Sequence, residues 1–223
     1  MDTRPAASTT GPTGPSQRPG GGHVVGLTAL VPLAWAVLLL FHPAPDPDDL
    51  FGSLRQQATT WVTVHLGSLL FIGLTGAVLY LLVRDLRGPA ATLAKVAVGT
   101  FVLFYGAAEA VSGVATGTLV QHVDGLPPDQ QAAGAGVVQA LWDQFVTDDL
   151  LFLVGGVAWV VATLAAAAAR RQAGAPLTAC ILLALSAIAA FHAPPIGPVG
   201  LLLLAGAVVL LARGQRAAAA TSS

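Results

Sequence analysis

The chain has 223 residues, of which 55% are hydrophobic and only 9% charged, with a formal net charge of −1 and a mean hydropathy of +0.74. Ordinary soluble domains carry roughly 25% charged residues, so the composition excludes a soluble globular enzyme and points to a partner that is a lipid bilayer. The basic residues flank apolar runs and form no patch or motif for nucleic acid.

Residues 1–22 are dominated by Pro, Gly, Ser, Thr and Ala without apolar periodicity. They cannot bury enough surface to order and are expected to form a tail. The first apolar run, 24–41, follows a basic stretch as a signal peptide would, but Phe41-His42-Pro43-Ala44-Pro45 offers no small-x-small cleavage site. It is therefore read as a retained helix. Crossing a core of about 30 Å takes roughly 17 to 25 helical residues, and runs 61–83, 96–120 and 150–169 meet that length. Two shorter runs, 177–191 and 199–212, are separated by Ala193-Pro194-Pro195-Ile196-Gly197-Pro198. Together they reach about 54 Å at 1.5 Å per residue, nearly twice the core, so two crossings fit better than a re-entrant hairpin. Residues 214–223 form a second tail. The expectation is an all-α polytopic membrane helix bundle, with six transmembrane helices in a domain spanning 23–213.

Orientation follows from charge. Arg4, Arg18, Arg84, Arg87, Lys95, Arg170, Arg171, Arg213 and Arg216 alternate to one side of the six runs. The other connections hold Asp46, Asp48, Asp49, Asp124, Asp129, Asp143, Asp148 and Asp149, with Arg55 as their one base. The positive-inside bias makes both termini cytoplasmic in a multi-pass protein of the cell membrane, and Trp61 and Trp142 fall where an outer aromatic belt would lie. Richness in Ala, Gly, Pro and Arg, with a single Lys, matches a GC-rich bacterial genome. Cys180 stands alone, which excludes a disulfide framework and a thiolate metal site.

Glu109 is the only glutamate and the only charged residue between Val96 and Val120. A carboxyl in such a run is costly unless protonated, paired or facing a wet cavity, so it is a functional candidate by default. At helical spacing it shares a face with Ser112, Gly113, Thr116 and Gly117. Gly113-x-x-x-Gly117 has the spacing of a helix-packing seam, so Glu109 is expected to look inward. The plain structural alternative is a hydrogen-bonded packing residue.

Histidine forms the second constellation. His42, His65, His122 and His192 all fall toward the outer side, near Asp148 and Asp149, while His23 is alone at the other. Imidazoles with carboxylates suit zinc, copper, iron or haem, which makes His42, His65, His192, Asp148 and Asp149 candidate metal ligands. No His-x-x-x-His or His-Glu-x-x-His motif supports the site locally. Interfacial anchoring of amphipathic imidazoles is the competing explanation.

Counting inward from Val120 places Glu109 about 16 Å deep, and counting from Trp61 places His65 only about 6 Å deep. Glu109 is thus expected near the midplane, outside any coordination shell containing His65. A polar trail of Glu109, Ser112, Thr116 and His65, with Ser68 on the facing surface, suggests a funnel opening outward. In the long connection 121–149, Val137, Val138, Leu141, Trp142 and Phe145 at helical spacing suggest an interfacial helix capping that funnel, or an extension of the fourth run.

Three functional classes remain. One is binding or transport of a small solute or ion coupled to protonation of Glu109. Another is a membrane-embedded metal or haem enzyme built on the outer histidines. The third is an accessory or scaffold subunit whose small-residue seams hold a second copy or another membrane protein. A serine-protease turn is not found, because Ala110-Val111-Ser112-Gly113 lacks the leading glycine and a histidine at its estimated depth.

Overall fold

The structure is a computed structural model that describes residues 28–144 and 150–221. The first tail, His23, Phe145, Asp148 and Asp149 lie outside the described residues. The regular elements among those described are all helical. In chain order they are α1 (Leu30–Leu39), α2 (Leu50–Leu54), α3 (Ala58–Val83), α4 (Pro89–Ala108), a π-helical segment (Glu109–Ala115), α5 (Thr116–Asp124), α6 (Pro128–Trp142), α7 (Leu150–Gln172), α8 (Leu177–Leu185) with a 3₁₀ extension (Ser186–Ala190), and α9 (Ile196–Thr221).

Among the described residues, four stretches are long and apolar enough to cross a membrane: Ala58–Val83, Pro89–Asp124, Leu150–Gln172 and Ile196–Ala217. Leu30–Leu39 and Leu177–Ala190 are apolar but shorter. The chain is therefore a helical bundle compatible with an integral membrane protein, its exposed leucines, valines and isoleucines suited to lipid contact.

Local sequence explains the turns. Gly88, at φ 102°, precedes Pro89 in the first turn of α4, where a missing N–H costs nothing. The Asp49 side chain caps α2 by accepting from the Gly52 N–H at 3.0 Å. Gly174, at φ 83°, ends α7 in a Schellman arrangement, with the Ala175 N–H reaching Arg170 O and the Gly174 N–H reaching Arg171 O.

Small residues set the packing. The most extensive helix contact joins α4 to α7, where a Cβ on Gly155 would strike the backbone of Tyr105. Alanines 94, 97, 158, 162 and 166 fill the same core, letting helices approach as they do in membranes. Gly113 and Gly117 form the seam expected of them: added Cβ atoms would fall on the His65 imidazole and on Trp61 respectively.

A cap closes one end of the bundle. Buried Leu50, Phe51, Leu54, Ala58, Val120, Val123 and Val138 from α2, α3, α5 and α6 form a second core there. The helix expected around 137–145 is thus Pro128–Trp142, packed on α5 and α2. Trp61 belongs to this core. It is 2% exposed, its ring 6.1 Å from that of Trp142, so it marks the inside of the cap and not an aromatic belt.

Candidate metal centre

Four side chains from four parts of the chain meet beneath the cap. His42 lies three residues beyond the end of α1, His65 is on α3, Glu109 opens the π-helical segment, and His192 follows the 3₁₀ extension of α8. Glu109 is wholly buried. Its Oε2 is 3.7 Å from His65 Nε2 and its Oε1 is 3.5 Å from His192 Nε2. One ligand atom of each of His42, His65 and His192 lies within 4.8 Å of those of the other two.

This overturns the separation expected from counting residues. The zero of depth was wrong at both ends: Trp61 is inside the cap, and the helix carrying Glu109 runs on to Asp124 as part of the cap. The cluster instead lies level with several helix ends. His42 follows α1, His192 follows Ala190, and Phe152, two residues into α7, has its ring 5.9 Å from that of His192. Glu109 is therefore level with these helix ends, and the count of residues from Val120 does not measure its depth.

Hydrogen bonding fixes each imidazole. His42 donates from Nδ1 to Pro43 O at 2.7 Å, and His65 donates from Nδ1 to Trp61 O at 2.8 Å, because a carbonyl can only accept. The Tyr105 hydroxyl donates to Ala190 O at 3.0 Å, so its oxygen accepts from His192 Nδ1–H at 2.9 Å. Every Nδ1 thus carries its proton, and a neutral ring presents a bare lone pair at Nε2. His42 Nε2 and both Glu109 oxygens are buried without a hydrogen-bond partner. Burial pulls the His42 imidazole below the ordinary histidine range, and does the same more strongly to His192, helped by the neighbouring His42 and His65.

Lone pairs and a carboxylate facing one another without donors cost free energy unless something positive lies between them. A metal ion meets that need, and Nδ1 bonds to carbonyls or a hydroxyl are the usual supports of metal-binding imidazoles. Donors 2.0–2.1 Å from a tetrahedral zinc lie about 3.3–3.4 Å apart. The Glu109 distances to His192 and His65, 3.5 and 3.7 Å, are close to that edge, while the three histidine ligand atoms lie within a wider 4.8 Å of one another. No protein-family model, no curated protein and no solved structure matches the chain. The functional reading therefore rests on this geometry alone.

The π-helical turn serves the arrangement. Within it Gly113 O accepts from the Thr116 N–H and also from Trp61 Nε1, the latter at 2.8 Å, tying α3 to the segment that carries Glu109. Ser112 and Thr116 are buried and donate to their own helix, at Ala108 O and Val111 O. Neither is directed at the cluster by those bonds. Ser68 is buried elsewhere on α3, accepting from Trp35 Nε1 at 3.2 Å. His122 is exposed near the end of α5. Tyr105 was missed by the sequence reading. Its signal was present, since it lies four residues before Glu109 and hence on the same face.

Proposed function

We propose that the chain is a multi-pass membrane metalloprotein in which His42, His65 and His192 bind one divalent first-row metal through Nε2, and Glu109 completes the shell. The observation that carries this reading is the convergence of three imidazoles whose Nδ1 atoms are all committed to other partners. Three neutral nitrogens and one carboxylate favour zinc, with copper and iron as competitors, over magnesium or calcium, which take oxygen shells. Haem fits less well, because the three rings crowd one small volume, with centroids 4.9, 5.2 and 6.3 Å apart.

The alternative centred on Glu109 as a proton- or ion-carrying group keeps its key residue, and both carboxyl oxygens are without partners. The metal reading explains those orphans and the ring orientations together. The basic residues Arg84, Arg87, Lys95, Arg170 and Arg171 lie at the end of the bundle away from the cluster, which supports placing the metal at the outer side with both termini cytoplasmic.

Metal analysis of detergent-purified protein, as isolated and after zinc loading and desalting, tests the proposal. One metal per chain is expected, falling to background in His65→Ala and in His192→Ala. Wild-type protein that retains no zinc, copper or iron after loading refutes it.

A further inference from the structure

Tyr105 and His192 also form the inner end of a cavity of about 610 Å³, whose walls include Phe152, Gly156, Val160 and Phe191. A second cavity, of about 350 Å³, shares Leu153, Val157 and Val161 with the first and continues along α4 and α7 to Leu93. From Tyr105 to Leu93 is twelve residues of one helix, about 18 Å at the helical rise. The hydrocarbon of one leaflet is about half of a 30 Å core. The groove is therefore about as long as the hydrocarbon of one leaflet is thick, and its far end lies in the turn of α4 that carries Lys95.

Its flanks are continuous with the lipid-facing surface. Leu153 is 63% exposed, Val157 53% and Phe191 70%, all apolar and all in the wall of the cavity that ends at His192. Along its length the groove meets only Thr100 as a hydroxyl residue, and Thr100 spends its hydroxyl on Val96 O. Among the described residues of its lining, the other polar side chains are Tyr105 and His192 at the inner end. The lining suits an extended apolar tail, and a metal held at His192 would call for an oxygen-bearing head at that end.

We infer that the α4–α7 groove binds the acyl chain of a bilayer amphiphile, with its carboxyl or carbonyl oxygen reaching the metal held by His42, His65 and His192. This rests on the metal reading above. The metal would expand from four ligands to five on binding, an expansion that some catalytic zinc centres undergo.

Cobalt-loaded protein in detergent gives a direct readout, because the visible bands of tetrahedral Co²⁺ weaken when a fifth ligand binds. The probe is a saturated long-chain fatty acid, with acetate as the tail-less control. Gly156→Trp fills the groove: a Cβ there meets nothing nearer than Ala190 Cβ at 4.0 Å, so the backbone need not move. Val157→Trp fills it from a more exposed position.

The fatty acid is expected to weaken the cobalt bands at concentrations far below acetate. Both tryptophan variants, still holding one cobalt per chain, should need at least about tenfold more, the low end of the cost of a poor fit in an apolar pocket. Cobalt binding with no response to the fatty acid, or an equal response in the variants, overturns the inference and leaves the metal reading intact. Failure to bind cobalt at all instead overturns the metal reading on which the inference rests.

Discussion

Replacing Tyr105 with phenylalanine tests whether the cluster is organised for a metal or is an accident of packing. Tyr105 is 1% exposed and does not approach the proposed ion as a ligand; its hydroxyl accepts from His192 Nδ1–H at 2.9 Å and donates to Ala190 O at 3.0 Å. Removing it leaves the ring volume unchanged but orphans one donor and one acceptor. Each such orphan costs about 1–3 kcal/mol when buried, so the metal-free protein should lose about 2 kcal/mol or more. A structural role predicts no more than that loss. A supporting role for a metal ligand predicts, in addition, a 10- to 100-fold fall in metal affinity, or about 1.4–2.8 kcal/mol, because His192 is then free to turn its lone pair away. Zinc competition against a chromophoric chelator measures affinity on folded protein, and thermal unfolding of the metal-free form measures the structural part. Affinity within about twofold of wild type, alongside the expected destabilisation, would refute the ligand-support argument.

Other perturbations divide the same way. Gly113→Val drives a side chain into the His65 ring and should lower metal affinity more than tenfold while destabilising by about 1–3 kcal/mol; Gly99→Ala, with nothing within 4 Å of the added carbon, should do neither, and equal effects at both positions would sink the seam argument. His42→Ala should abolish stoichiometric binding, whereas His122→Ala, at an exposed position, should leave it unchanged. The acid limb of metal binding should also be displaced: burial lowers His42 and His192, so protons compete for these nitrogens only below the usual histidine value near 6.5. Binding measured against pH should accordingly lose half its strength below that value, and a midpoint above it contradicts the burial argument.

The sequence made the helices legible because a lipid environment leaves an apolar run few alternatives. Glu109 and its small-residue face were equally legible, since Ser112, Gly113, Thr116 and Gly117 are all buried with it. Depth was not. Counting from an aromatic belt assumes that a tryptophan near a helix end faces the interface, and Trp61 faces Trp142 and the α2–α6 cap instead. The union of Glu109 with the histidines was hidden for a second reason. Each ligand comes from a different helix or connection, so no local spacing records the site, and the bond that aligns α3 with the π-helical turn, Trp61 Nε1 to Gly113 O, joins residues 52 apart in sequence.

That bond also shows why the site is placed on an irregular helix. π-helical turns recur at functional sites, and a carbonyl oxygen has two lone pairs, so it can serve its own helix and a neighbour at once. Here the Gly113 carbonyl accepts from both the Thr116 N–H and Trp61 Nε1, and the Trp61 carbonyl accepts from His65 Nδ1. The chain of contacts thus runs from Gly113 through Trp61 to His65, and returns across the His65 ring, which rests on Gly113. One glycine and one tryptophan fix an imidazole against the segment that presents Glu109. Such a closed circuit constrains His65 and Glu109 together, so a metal would find two of its ligands already at their working separation, and the ordering cost of binding would fall mainly on His42 and His192 in their connections.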